Sequence, residues 1–261
     1  MSEPRDTSGP GKALPEKVRS DFSLVHMLPN MMTIAAICAG LTAIRSGVSG
    51  HYGSAVLFIL AAGVLDGLDG RLARLLRSDS KMGAELDSLA DFLNFGVAPA
   101  LVVYFWALQD LSRIGWISVL VFAVCCVVRL ARFNVAAKTE KSEVRPGYFV
   151  GVPAPAGAML VLLPMYLSFA SRGAILVPDL VICFYMGLVG LLMISRIPTW
   201  SLKRVRISRE NVKYFLVGFA FFGAAILSYA WITLVVLCLV YAGTIAWSLL
   251  NWKRADRAGP R

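Results

Sequence analysis

Polar and apolar positions along this chain fall into long blocks rather than alternating. Residues 1–25 (MSEPRDTSGPGKALPEKVRSDFSLV) are polar and carry Pro and Gly, with no apolar core behind the charges such as an exported leader has. A mobile cytosolic tail is expected there. Apolar runs then recur to the end, near Met27–Ile44, Tyr52–Leu76, Leu86–Leu108, Ile114–Ala131, Val150–Ala170, Leu180–Ser195, Tyr214–Ser228 and Trp231–Leu250. A helix crosses a ~30 Å hydrocarbon core in ~20 apolar residues. The last two runs form one uncharged stretch of 37 residues. As a single helix it would be about 55 Å long, so a hairpin near Ser228–Trp231 is expected. The pattern predicts an all-α fold, a polytopic transmembrane helix bundle of about eight spans.

Charge placement adds orientation. Taking tails and loops in turn, alternate segments hold 23 and 3 of the 26 Lys and Arg residues. The positive-inside rule then puts both termini and the even-numbered loops in the cytoplasm, of a bacterial inner membrane if the chain is bacterial. The expected domains are the tail 1–25, a transmembrane catalytic domain 26–252 and a C-terminal cytosolic tail 253–261. Composition agrees: 57% of residues are hydrophobic, 16% are charged and mean hydropathy is +0.68. Soluble domains carry ~25% charge, so a soluble single domain is not expected and a disordered chain is excluded. A net charge of +10 would point to nucleic acid in a soluble protein. Here it belongs to the membrane surface, and no nucleic-acid partner is expected. The cysteines Cys38, Cys125, Cys126, Cys183 and Cys238 all sit in apolar stretches without metal-ligand spacing, so neither disulfide nor zinc is expected. Trp106, Trp116, Trp200, Trp247 and Trp252 lie near span ends, as interfacial anchors do.

The candidate chemistry is a set of intramembrane carboxylates, which are costly and functional by default. Asp66 and Asp69 stand at i,i+3 near the cytosolic end of the second run; Asp87 and Asp91 stand at i,i+4 at the start of the third. Each pair shares a helix face. Two antiparallel helices joined by a short basic loop bring the four to one membrane level. Such a cluster repels itself in a low dielectric unless cations neutralise it. Oxygen-only ligands favour Mg²⁺ or Mn²⁺ over zinc, and Mg²⁺ completes its shell with substrate phosphates. Two such ions could clamp the attacking and leaving oxygens of a displacement. Gly70, Ala73 and Gly83 leave room on the same faces, and Arg74 can fork onto a phosphate.

The run Asp66-Gly-Leu-Asp69-Gly70-Arg-Leu-Ala73-Arg74, eight residues, Gly83-x3-Asp87-x3-Asp91 resembles, at every position, the signature of the CDP-alcohol phosphatidyltransferases. The resemblance implies a membrane enzyme with a six-helix catalytic core, commonly a homodimer, that binds a CDP-linked lipid and two divalent metal ions. By the same resemblance, Asp66, Asp69 and Asp87 are ligands of one metal and Asp66, Asp87 and Asp91 of the other. Asp91 is also the general base. Asn30, Asp69, Gly70, Arg74, Ser80 and Gly83 contact the CDP-lipid, and the active site faces the cytoplasm.

Outside the signature, three segments resemble the integral-membrane phosphatidylserine synthases of bacteria: Leu28-Pro-Asn-Met-Met-Thr33, Ala131-Arg132-Phe133-Asn134 and Gly151-Val-Pro-Ala-Pro-Ala156. This resemblance implies CDP-diacylglycerol as donor and L-serine as acceptor, with membrane lipid around the site. An Arg can fork onto the serine carboxylate. Arg132 and Asn134 are the first candidates, with Arg129, Lys138 and Arg145 on the same side. Choline, glycerol 3-phosphate and inositol phosphate remain alternative acceptors; choline would need an aromatic cage, to which Phe133, Tyr148 and Phe149 could contribute. An ion-coupled transporter is the alternative of another class, but it leaves Gly70, Arg74 and Gly83 without a use, and the chain has no internal repeat.

Overall fold

The structure, a computed structural model, describes residues 24–76, 80–138, 148–175, 177–195, 198–200 and 212–257. The expectations for residues 1–23, for Arg145 and for residues 258–261 lie outside the described residues. Each apolar run coincides with helix. The elements are α1 (Leu24–Val48), α2 (Tyr52–Leu76), α3 (Lys81–Asp91), α4 (Ala98–Val103), α5 (Ser112–Lys138), α6 (Ala154–Val161), α7 (Leu163–Ala170), α8 (Asp179–Ile194) and α9 (Val212–Arg257). Among the described residues the departure from an all-helical chain is a short antiparallel ribbon, β1 (Tyr148–Val150) with β2 (Pro198–Trp200), in which Tyr148 faces Trp200. Four helical stretches are long and apolar enough to cross a membrane: Met27–Val48, Lys81–Leu108, Ser112–Ala136 and Ser228–Ser248.

The breaks have local causes. The expected single span Val150–Ala170 is two short helices, α6 and α7, meeting at Leu162 just before Pro164. Proline supplies no N–H and crowds the carbonyl four residues back. α3 and α4 belong to one helical rod, Lys81–Leu108, widened to π-helix at Phe92–Val97 and Tyr104–Leu108. Pro99 leaves the carbonyl of Phe95 without its ordinary helical donor, inside the first widened stretch. In α9, Tyr229 leaves helical geometry at φ −137° and ψ 52°. The Thr233 hydroxyl lies 3.1 Å from the Ala225 carbonyl, eight residues back. A straight helix would separate them by about 12 Å, so the chain bends sharply within the expected hairpin.

The core runs through the bundle around Phe122, Leu162, Met165, Tyr166, Ile182 and Met186, all essentially inaccessible. Outward faces stay apolar: Val64, Leu75, Phe184, Leu191 and Val240 are exposed. That surface suits lipid rather than water. α1 packs along α2, α5 along α8, and α7 against α9.

Candidate functional site

α1, α2 and the start of α3 converge on one cavity of about 390 Å³, lined by Pro29, Asn30, Thr33, Asp69, Gly70, Ala73, Arg74, Ser80, Gly83, Ala84 and Asp87. All six residues expected at the CDP-lipid line it together. Ser80 caps α3: its Oγ accepts the Gly83 N–H at 2.9 Å from an extended backbone conformation. A Cβ at Gly83 would stand 2.9 Å from Asn30 Oδ1 and 3.0 Å from Ser80 Oγ, so a side chain there would push α1 and the cap away. Gly70 is the opposite case. A Cβ there would meet nothing within 4 Å, although the residue lines the cavity. The missing side chain leaves room for a ligand, not for a neighbouring helix.

The carboxylates meet as their spacing predicts. Oxygen atoms of Asp66, Asp69 and Asp87 all lie within 4.8 Å of one another. Asp91 lies beside them, near enough to Asp66 for the two carboxyl groups to interact. Oδ1 of Asp66 and Oδ1 of Asp69 are buried, and among the described residues neither has a hydrogen-bond partner. Buried acceptors without donors are rare in folded proteins. Two such oxygens converging from one helix face, with a third carboxylate opposite, form a donor set suited to hard divalent cations. The residues present therefore fit the implied metals.

Thr33 is a site residue that the sequence reading left without a role. Its hydroxyl donates to Asp69 Oδ2 at 2.6 Å. The Pro29 carbonyl lies farther off, at 3.1 Å. The bond orients Asp69 and leaves its other oxygen free to face the cluster. The clue in the sequence was spacing, since Thr33 lies one helical turn beyond Asn30.

The acceptor candidates divide. Asn134 Nδ2 donates to Ser88 Oγ at 2.9 Å, which ties α5 to α3 beside Asp87. Arg132 Nη1 donates to the Ile194 carbonyl at 2.7 Å. The Val152 N–H and the Ser195 hydroxyl both bond the Leu192 carbonyl, at 3.3 and 2.7 Å. Gly151 adopts φ +80°, and a Cβ there would lie 2.6 Å from the carbonyls of both Met193 and Ser195. Two of the segments outside the signature thus meet at the C-terminal end of α8, where carbonyls need donors and a cation is favoured. Arg129 instead reaches toward the site. Its guanidinium lies over the Phe133 ring, 5.9 Å from the centroid, and close enough to Asp91 for their charges to interact.

Residues 26–199 match the family model for CDP-alcohol phosphatidyltransferase. The chain is 39% identical over 229 residues to a CDP-diacylglycerol–serine O-phosphatidyltransferase of Mycobacterium leprae (strain TN), covering 87% of this chain and 76% of the relative. A protein of the same name from Helicobacter pylori (strain ATCC 700392 / 26695) is 36% identical over 197 residues, 76% of this chain and 80% of that one. Another, from Bacillus subtilis (strain 168), is 40% identical over 155 residues, 57% of this chain and 84% of that one.

Proposed function

The chain belongs to the CDP-alcohol phosphatidyltransferase family, and on that premise we propose that it transfers the phosphatidyl group of CDP-diacylglycerol to the hydroxyl of L-serine, giving phosphatidylserine and CMP. The observation that carries the reading is the convergence of Asp66, Asp69, Asp87 and Asp91 beside a cavity lined by Asn30, Gly70, Arg74, Ser80 and Gly83. Asp66, Asp69, Asp87 and Asp91 would hold two divalent cations, Mg²⁺ or Mn²⁺. When bound, these supply positive charge against the diphosphate of the donor.

The remaining work falls to the chain. Arg74 and the Ser80 hydroxyl orient the nucleotide diphosphate, and Gly70 leaves the space it occupies. Asp91 removes the proton from the serine hydroxyl. That oxygen bonds to the phosphorus carrying diacylglycerol as the bond from this phosphorus to the CMP oxygen breaks. CMP leaves with the electron pair. The names of the relatives support serine as acceptor. So does Phe133, one of the rings that could contribute to a choline cage, because the Arg129 guanidinium lies over it. The 23-to-3 distribution of basic residues supports an eight-span topology, both termini in the cytoplasm of a bacterial inner membrane, and a site opening to the cytoplasm. A homodimer completes the reading.

The test is an acceptor screen with purified protein, CDP-diacylglycerol and either metal, offering serine, choline, glycerol 3-phosphate or inositol phosphate separately. Serine should give a lipid product with matching CMP release. A lipid from another alcohol and none from serine would contradict the acceptor while leaving the enzyme class standing.

A further inference from the structure

α1 brings no carboxylate to the cluster, yet it touches both of the elements that do. Its Thr33 hydroxyl holds Asp69 of α2. Seven residues on, two turns along the same face, Gly40 lies against Asn94 of the rod Lys81–Leu108, three residues after Asp91. A Cβ at Gly40 would overlap Asn94 Oδ1 and lie 3.2 Å from its Cγ. Asn94 is wholly inaccessible, and among the described residues neither its Oδ1 nor its Nδ2 has a hydrogen-bond partner. A buried amide without partners costs stability, so the packing of an apolar core does not account for it. α1 and the rod run parallel, and this contact is the middle one of three. Asn30 meets Gly83 at the cavity, Gly40 meets Asn94, and Gly47 meets Val102. Between the first two contacts α1 advances ten residues (30 to 40) and the rod eleven (83 to 94). The π-helical stretch Phe92–Val97 takes up the extra residue, since its i→i+5 turns are wider than α-turns. The widening keeps the rod in step with α1 just where Asp91 ends α3.

We propose that Asn94 is a positioning residue for Asp91: pressed on Gly40, its amide fixes the separation and register of α1 and the rod, and so the placement of Asp91 against the aspartates of α2. The inference rests on the reading of the four aspartates as the metal and base site of a phosphatidyl transfer. α1 packs along α2 and holds Asp69 through Thr33. A shift of the rod against α1 is therefore a shift of Asp87 and Asp91 against Asp66 and Asp69. A displacement of about 1 Å at reacting groups is enough to cost roughly 100-fold in rate. Gly40 permits the close approach, because any side chain there would take the place of the amide. Neither Gly40 nor Asn94 lines the cavity, so the contact acts on the carboxylates and not on the nucleotide directly.

The experiment uses the full chain in lipid nanodiscs. It measures kcat and the KM for CDP-diacylglycerol with serine and, without substrate, Mn²⁺ affinity from the paramagnetic resonance signal of the free ion. Gly40→Ala pushes Asn94 and the rod away. Its kcat should fall about 10- to 100-fold and Mn²⁺ should bind about tenfold more weakly, with the donor KM within about threefold of wild type. Asn94→Ala removes the amide and should lower kcat and Mn²⁺ affinity in the same direction. The double variant Gly40→Ala/Asn94→Ala returns a methyl group to the vacated space. It should recover both quantities to within about fivefold of wild type, a coupling that two independent structural lesions do not give. Should Gly40→Ala alone fail to fold, the double variant relieves the overlap and carries the test, read against Asn94→Ala. Losses that multiply in the double variant, or single variants that keep wild-type kcat and Mn²⁺ affinity, would overturn the positioning role and leave the functional reading standing. Wild type that binds Mn²⁺ but gives no lipid from any acceptor would overturn the functional reading, and the Mn²⁺ affinities would still decide the contact. Wild type that binds no Mn²⁺ would overturn both.

Discussion

Asp69 shows how much a single side chain in this site depends on its neighbour. It is 3% exposed and keeps one oxygen toward the cluster because Thr33 occupies the other. Thr33→Val removes that donor while preserving shape. The metal concentration giving half-maximal activity should rise about 10- to 100-fold, as for other lost supports of a ligand, with maximal rate much less affected. Metal titration of activity checks this. Asp91→Asn keeps the volume but cannot take a proton. Turnover should fall by at least about 10²–10⁴-fold, while CDP-diacylglycerol binding is largely retained; CMP release and lipid binding measured on the same preparation check it. The four aspartates and the cavity glycines were legible because helical spacing alone puts them on shared faces. Thr33 was not assigned, since a hydroxyl in an apolar helix usually bonds its own backbone, and only the packing of α1 on α2 aims this one at a carboxylate. Arg129 and Arg132 could not be told apart by sequence. They stand three positions apart on α5, and only the packing of α8 on α5 brings Arg132 to the Ile194 carbonyl.

The elements explain features that look functional in the sequence but hold the scaffold. The Gly151 segment and Arg132 converge on the end of α8. Gly151→Ala forces a side chain into φ +80° and against two carbonyls. A left-handed conformation alone costs about 1–2 kcal/mol, so the melting temperature in detergent should drop measurably, with serine KM nearly unchanged in the protein that remains folded. A loss of serine affinity with unchanged melting would argue against this scaffold role. The π-helical stretch directly after Asp91 was not legible either. Apolar periodicity cannot distinguish 3.6 from wider turns over six residues, and Pro99 is its only sequence mark. The bend in α9 was legible from length alone: the stretch is too long for one crossing, although no Gly or Pro marks Tyr229.

At the scale of the molecule, large apolar side chains lie both inside the bundle, such as Tyr166 and Phe122, and on its outer faces, such as Phe184 and Leu75. Fold class was readable because the bilayer demands long apolar helices; the tilt and partner of each helix were not, because packing sets them. Topology can be checked by cysteine labelling in intact cells on a Cys38→Ser background, since the other cysteines are buried. Exposed Ser49, between α1 and α2, should react as Ser49→Cys with an impermeant maleimide from outside. Lys81→Cys, at the start of α3, should react only after permeabilisation. The reverse pattern would invert the proposed orientation. The measurement closest to the central idea is CMP release from CDP-diacylglycerol by the purified chain with serine, before and after chelation, followed by metal replenishment. Carboxylates gathered from two helices to hold divalent cations require release that stops on chelation and returns with Mg²⁺ or Mn²⁺; release that persists undiminished in chelator would contradict the account.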